Sequence, residues 1–139
     1  MTTTNLDPRG LPHGASLRGN EISPRDAAAL LKGAPGKTLL IDVRTKAEWD
    51  VARVSGAVHV PIDELEGRLH ELPLDEAEHI TLLCYRGSRS LKGADLLKAK
   101  GYPGAKSIFG GIELWSQAVD AGVPRYDRHP ITGACSLRK

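Results

Sequence analysis

One strand-to-helix junction constrains this chain more than any other stretch. Ile80-Thr81-Leu82-Leu83 is a short apolar and β-branched run that reads as a buried strand. Residues 91–100 read as a helix with apolar side chains at Leu91, Ala94 and Leu97. Between them lies Cys84-Tyr85-Arg86-Gly87-Ser88-Arg89-Ser90. A loop this short curls over the helix N-terminus, where backbone N–H groups lack helical partners and partial positive charge collects. Such a loop favours an anion at its focus. With the Cys84 sulfur at that focus, the thiolate is favoured over the thiol. Arg86 and Arg89 add full positive charge. Most cysteines in domains of this kind are small buried hydrophobes, but an inert core cysteine has no use for two arginines within five positions. The stretch describes an activated thiolate beside a small-anion pocket.

The rest of the chain alternates strands and helices around this junction. Residues 1–20 are polar, carry Pro8 and Pro12, and read as a flexible leader. Ser23 suits an N-cap, Pro24 the first helical position and Asp26 the positive helix end, so a helix runs to Lys32 and stops at Gly33-Ala34-Pro35-Gly36. Thr38–Val43 is a near-continuous apolar strand of the kind covered on both faces, with Asp42 and Arg44 at its carboxyl end. Thr45-Lys46-Ala47-Glu48 fits a capping box and predicts a short helix through Asp50. A strand over Gly56–Val60, a helix over Ile62–Glu71, a strand over Lys106–Phe109 and a helix over Ile112–Ala121 complete the pattern. This alternation predicts an α/β fold with a mainly parallel sheet, whose ligands bind beyond the strands' carboxyl ends. Asp42, Arg44, the Cys84 loop and Gly110 all fall at such ends. Residues 127–139 return to tail composition, and Cys135 reads as an exposed cysteine without a role, a resolving thiol for Cys84 being the alternative.

The pattern Cys-x-x-Gly-x-Arg-Ser, entered from a strand and left by a helix, resembles the active-site loop of the rhodanese (sulfurtransferase) family. Leu40-Ile41-Asp42-Val43-Arg44 is similar to that family's first core strand, and Glu48-Trp49 with Ser55-Gly56-Ala57-Val58-His59-Val60-Pro61 to the segment entering the second. Gly110-Gly111 with Trp115, then Gly122-Val123-Pro124, resembles the last helix and closing turn. The likeness covers about residues 21–126, and departs where Ala52-Arg53-Val54-Ser55 replaces the family's frequent Gly-His. It implies a single rhodanese-like domain of three layers, with helices on both faces of the sheet. It also implies that Cys84 takes the outer sulfur of thiosulfate or a related small anionic donor as a persulfide. A thiophilic acceptor (cyanide, a thiol or a partner protein) then collects it, with no metal or organic cofactor.

Within that reading, Arg86 is placed to meet the donor, while Arg89 either meets the donor or ties the loop to a carboxylate. Ser88 and Ser90 cap the helix or hydrogen-bond the sulfur, with capping preferred. Gly87 supplies a backbone shape that other residues resist, and Tyr85 lines the loop. Asp42 and Arg44 anchor the frame from behind, and His59 reads as a structural histidine. The net charge of +2, scattered basic residues and few aromatics speak against a nucleic-acid partner. No apolar stretch is long enough to span a membrane, and the N-terminus does not read as a signal peptide, so a cytoplasmic, reducing location is the default expectation. Two rivals remain. A cysteine phosphatase or arsenate reductase needs a loop one residue longer than the four residues between Cys84 and Arg89. A non-catalytic binding module usually lacks the cysteine.

Overall fold

The computed structural model describes residues 5–138. Strands β1 (Glu21–Ile22), β2 (Thr38–Asp42), β3 (Val58–His59), β4 (His79–Leu83) and β5 (Lys106–Ile108) form one sheet in the order β1-β5-β4-β2-β3. Every pairing in it is parallel. The helices are α1 (Pro24–Gly33), α2 (Lys46–Val51), α3 (Ile62–Leu65), α4 (Ser88–Ala99) and α5 (Gly111–Ala118). The fold is therefore the α/β arrangement with a parallel sheet that the alternation predicts, with the three layers that the resemblance implies.

Strand residues alternate between two cores because successive side chains leave opposite faces of a sheet. Leu39, Ile41, Val43, Ile80, Leu82 and Cys84 pack with Leu65, Ala94 and Leu97 on the α3–α4 side. Leu40, Leu83 and Ile108 pack with Ala27, Ile112, Trp115 and Tyr126 on the α1–α5 side. Burial on both faces explains why β2 and β4 read as unbroken apolar runs.

Several elements differ from the sequence reading. The single helix expected over Ile62–Glu71 tightens into a 3-10 helix at Glu66–Glu71, with Gly67 at the changeover. Helix α4 begins at Ser88 rather than Leu91 because Gly87, at φ 111°, forms its N-cap in a conformation that only glycine adopts freely. Its first turn is polar, so no apolar periodicity marks it. Strand β1 pairs with β5 through two residues, too few to show alternation.

The segments whose composition predicts a leader and a tail make specific contacts in the structure. Leu11 is fully buried, and Asp7 Oδ1 accepts hydrogen bonds from the Arg9 and Leu11 amides at 2.8 and 3.1 Å. At the other end β6 (Tyr126–Arg128) and β7 (Cys135–Leu137) form an antiparallel hairpin. Arg138 ties it down through Glu113 at 3.1 Å and Asp127 at 2.9 Å. Cys135 is consequently half-buried rather than exposed. These contacts are mostly polar, so apolar patterning does not reveal them.

Candidate active site

Residue Cys84 follows β4 directly and is completely buried. Its Sγ accepts a hydrogen bond from the Gly87 amide at 3.0 Å and lies 3.2 Å from Ser90 Oγ. Ser90 is held in turn by the Gly87 carbonyl at 3.2 Å and by Ser107 Oγ at 2.7 Å. Gly87 caps α4 without any side-chain hydrogen bond. Ser90 therefore bonds the sulfur rather than capping, because the left-handed glycine has already turned the chain into the helix. Ser88 is exposed at the helix start. The amides of Ser88, Arg89 and Ser90 form the first turn, where no helical carbonyl can reach them.

The loop is pinned from behind by α5. The Ile112 and Glu113 amides donate to the carbonyls of Cys84 and Tyr85 at 2.8 and 3.1 Å. This close approach requires Gly111, which sits at φ 62° and whose Cβ would collide with the Cys84 and Tyr85 carbonyls. Gly111→Ala should lower stability on the order of 2–3 kcal/mol, combining strain and collision, as read from urea denaturation. An unchanged midpoint would show that the loop yields freely.

Arg89 turns to a carboxylate. Its guanidinium makes a two-pronged pair with Glu48, at 2.7 and 3.0 Å. Glu48 is fully buried and also takes the Tyr126 hydroxyl at 2.7 Å, with Arg128 at 3.6 Å. The capping box is present as expected, with Thr45 Oγ1 and Glu48 answering each other at the head of α2. Burial alone would raise the Glu48 pKa, but the hydrogen bonds from Arg89 and Tyr126 and the Arg89 charge bring it down to about 2.

The frame continues inward. Asp42 and Arg44 form a fully buried ion pair at 2.6 Å. Arg44 also donates to the Ala52 carbonyl at 2.6 Å and the Tyr126 hydroxyl at 3.1 Å. Burial opposes the Arg44 charge, yet Asp42 beside it raises the pKa. Burial, reinforced by Glu48, pushes the Tyr126 hydroxyl up, so it remains a donor to Glu48 despite the opposing Arg44 charge. Tyr85 stacks at a tilt on Tyr126 at 4.9 Å and donates to its carbonyl at 3.0 Å. His59 is structural in its contacts: Nε2 lies 2.7 Å from the Arg44 carbonyl and the ring stacks on Trp49. Arg86 is exposed, 4.9 Å over the Tyr85 ring.

Cys84, Gly87 and Ser90 thus meet around one sulfur, Arg89 holds the loop from the side, and Asp42 with Arg44 supports the frame from behind. Sequence reasoning missed Glu48, Tyr126, Arg128 and Ser107 as parts of this frame. Only Glu48 carried a signal, and its capping box pointed to a helix start rather than to Arg89.

The family model for the rhodanese-like domain matches residues 23–118. The chain belongs to the rhodanese-like family. Among curated relatives, the maize adenylyltransferase and sulfurtransferase MOCS3-2 is 36% identical over 93 residues, which cover 63% of this chain and 19% of that protein. The human thiosulfate:glutathione sulfurtransferase is 32% identical over 94 residues, covering 59% of this chain and 82% of that protein. The structure of the human single-domain sulfurtransferase TSTD1 superposes with a TM-score of 0.61 at 27% identity, covering 70% of this chain and 96% of that one. The chain therefore spans a small part of the maize relative and most of the two human ones. In this rhodanese-like domain no group of His, Cys, Asp and Glu among the described residues is arranged to hold a metal ion. No helix among them is long and apolar enough to cross a membrane.

Proposed function

We propose that this chain is a sulfurtransferase that carries sulfane sulfur on Cys84. The observation that carries the reading is the Cys84 sulfur held by the Gly87 amide at 3.0 Å, at the head of α4, whose glycine N-cap makes no side-chain hydrogen bond. The Cys84 thiolate attacks the outer sulfur of thiosulfate. A new S–S bond forms, the donor's S–S bond breaks, and sulfite leaves with the electron pair of that bond. The persulfide anion gains from the partial positive charge of the same helix end. An acceptor thiolate or cyanide then attacks the outer sulfur and Cys84 departs as thiolate, which balances the cycle without an external oxidant or reductant. The sulfurtransferase names of the relatives support this class of reaction, and the thiol in the human relative's name supports a thiol acceptor. Arg86, exposed on the loop and free of the Glu48 pair, attracts the anionic donor. This chemistry suits a reducing, cytoplasmic setting.

The test is the intact mass of the protein after thiosulfate. We expect a gain of one sulfur atom, lost again to cyanide or dithiothreitol, and poor hydrolysis of an aryl phosphate by the same sample. Brisk phosphate hydrolysis without the mass gain would replace this reading with the phosphatase one. Neither activity would leave a binding module.

A further inference from the structure

We propose that Arg18, ahead of the family-matched residues, is a specificity-determining residue that binds a carboxylate of the thiol collecting sulfur from Cys84. The inference rests on the sulfurtransferase reading above. Arg18 is not on a loose leader. Its amide donates to Glu21 Oε1 at 2.7 Å, and the Glu21 amide returns to the Arg18 carbonyl at 3.0 Å. The Gly19 carbonyl takes Lys106 Nζ at 2.7 Å, and the Asn20 carbonyl takes the Ser107 amide at 2.7 Å. The Asn20 side chain donates to Asp95 of α4 at 2.7 Å. The turn is therefore fastened to β5 and α4, the elements that flank the Cys84 loop.

This turn forms one wall of a groove of about 400 Å³ whose other wall is the loop itself. Arg18 and Glu21 stand on one side, Arg86 and Ser88 on the other, with Leu91 and Phe109 supplying apolar surface. Among the described residues neither Arg18 nor Arg86 has a carboxylate partner within ion-pair distance. Arg89 is committed to Glu48. Two unpaired guanidinium groups on opposite walls call for an extended anion, and guanidinium matches carboxylate geometry through paired hydrogen bonds. Thiosulfate and cyanide are too small to span such a groove, whose volume lies in the range of about 300–1,000 Å³ usual for organic ligands. A thiol of small-peptide size fits: its carboxylate meets Arg18, its methylene groups lie on Leu91 and Phe109, and its sulfur reaches the loop. Its thiolate attacks the outer sulfur of the Cys84 persulfide, the S–S bond to Cys84 breaks, and Cys84 leaves as thiolate.

The test compares glutathione with 2-mercaptoethanol as acceptors, with thiosulfate as donor. Arg18→Ala in the full chain should raise the KM for glutathione about tenfold, the loss expected for one charge-assisted contact. It should leave kcat and the KM for 2-mercaptoethanol within about twofold, since that thiol has no carboxylate for the side chain to bind. Arg18→Lys should recover part of the loss. A second arm needs no catalysis: S-methylglutathione titrated calorimetrically into Cys84→Ser should bind, and Arg18→Ala in that background should weaken it about tenfold. Equal changes for both thiols, or unchanged S-methylglutathione binding, would overturn the assignment. Failure of wild-type persulfide formation would instead strike the sulfurtransferase reading, while the calorimetric arm still decides the groove.

Discussion

A Cys84→Ser protein should fold and melt close to wild type yet take up no sulfur from thiosulfate and show no turnover. The serine oxygen can accept the Gly87 amide hydrogen bond and stay beside Ser90, so the loop keeps its contacts. It cannot stand in for the sulfur, because a serine hydroxyl is a far weaker nucleophile than a cysteine sulfur. Two of the loop's polar side chains are already occupied: Ser90 on Gly87 and Ser107, Arg89 on Glu48. Intact mass and thiocyanate production measure the outcome. The companion Cys135→Ser should retain nearly full rate, since Cys135 sits on β7, and burial together with the Glu48 charge raises its pKa and disfavours its thiolate. Turnover retained when both cysteines are replaced would end the Cys84 assignment.

A larger structural effect is expected at Glu48. Glu48→Ala should cost on the order of 3–5 kcal/mol and reduce persulfide formation, because it strands the Arg89 guanidinium and the buried Tyr126 hydroxyl together. The milder Glu48→Gln keeps the shape and removes the charge, and its signature is in the pH dependence. The Glu48 pKa lies near 2 in the folded chain and near the ordinary 4.5 when unfolded. The unfolded state therefore takes up the proton first as pH falls. The carboxylate's contribution, roughly 3 kcal/mol for a shift of this size, is full above about pH 4.5 and is lost as the pH drops towards 2. Denaturation of the wild type at a series of pH values should show this slope, and Glu48→Gln should lack it. Parallel curves for the two proteins would mean that Glu48 is not held ionised by Arg89 and Tyr126.

Local patterns carried much of this molecule. The strand, loop and helix around Cys84, the Ser23 cap and the Thr45–Glu48 capping box were legible because each depends on residues within one turn of the chain. The two-sided sheet was legible because β2 and β4 lack polar alternation. Arg89 was open between two roles. Its partner comes from α2, far away in sequence, and a salt bridge between distant segments leaves no periodic trace.

The ends of the chain were the least legible. Their polar composition predicts leader and tail, but polar residues can also form long-range contacts, and here they do. Tyr126 and Arg128 reach Glu48 from the hairpin, and the Arg18 turn reaches β5 and α4. The sequence by itself determined the alternation of strands and helices and the place of Cys84 at a strand-to-helix turn, because propensity and apolar burial act locally. Only the tertiary structure decided which charges were committed to the frame and which faced the groove, because pairing of buried charges depends on which distant segments desolvate the same point.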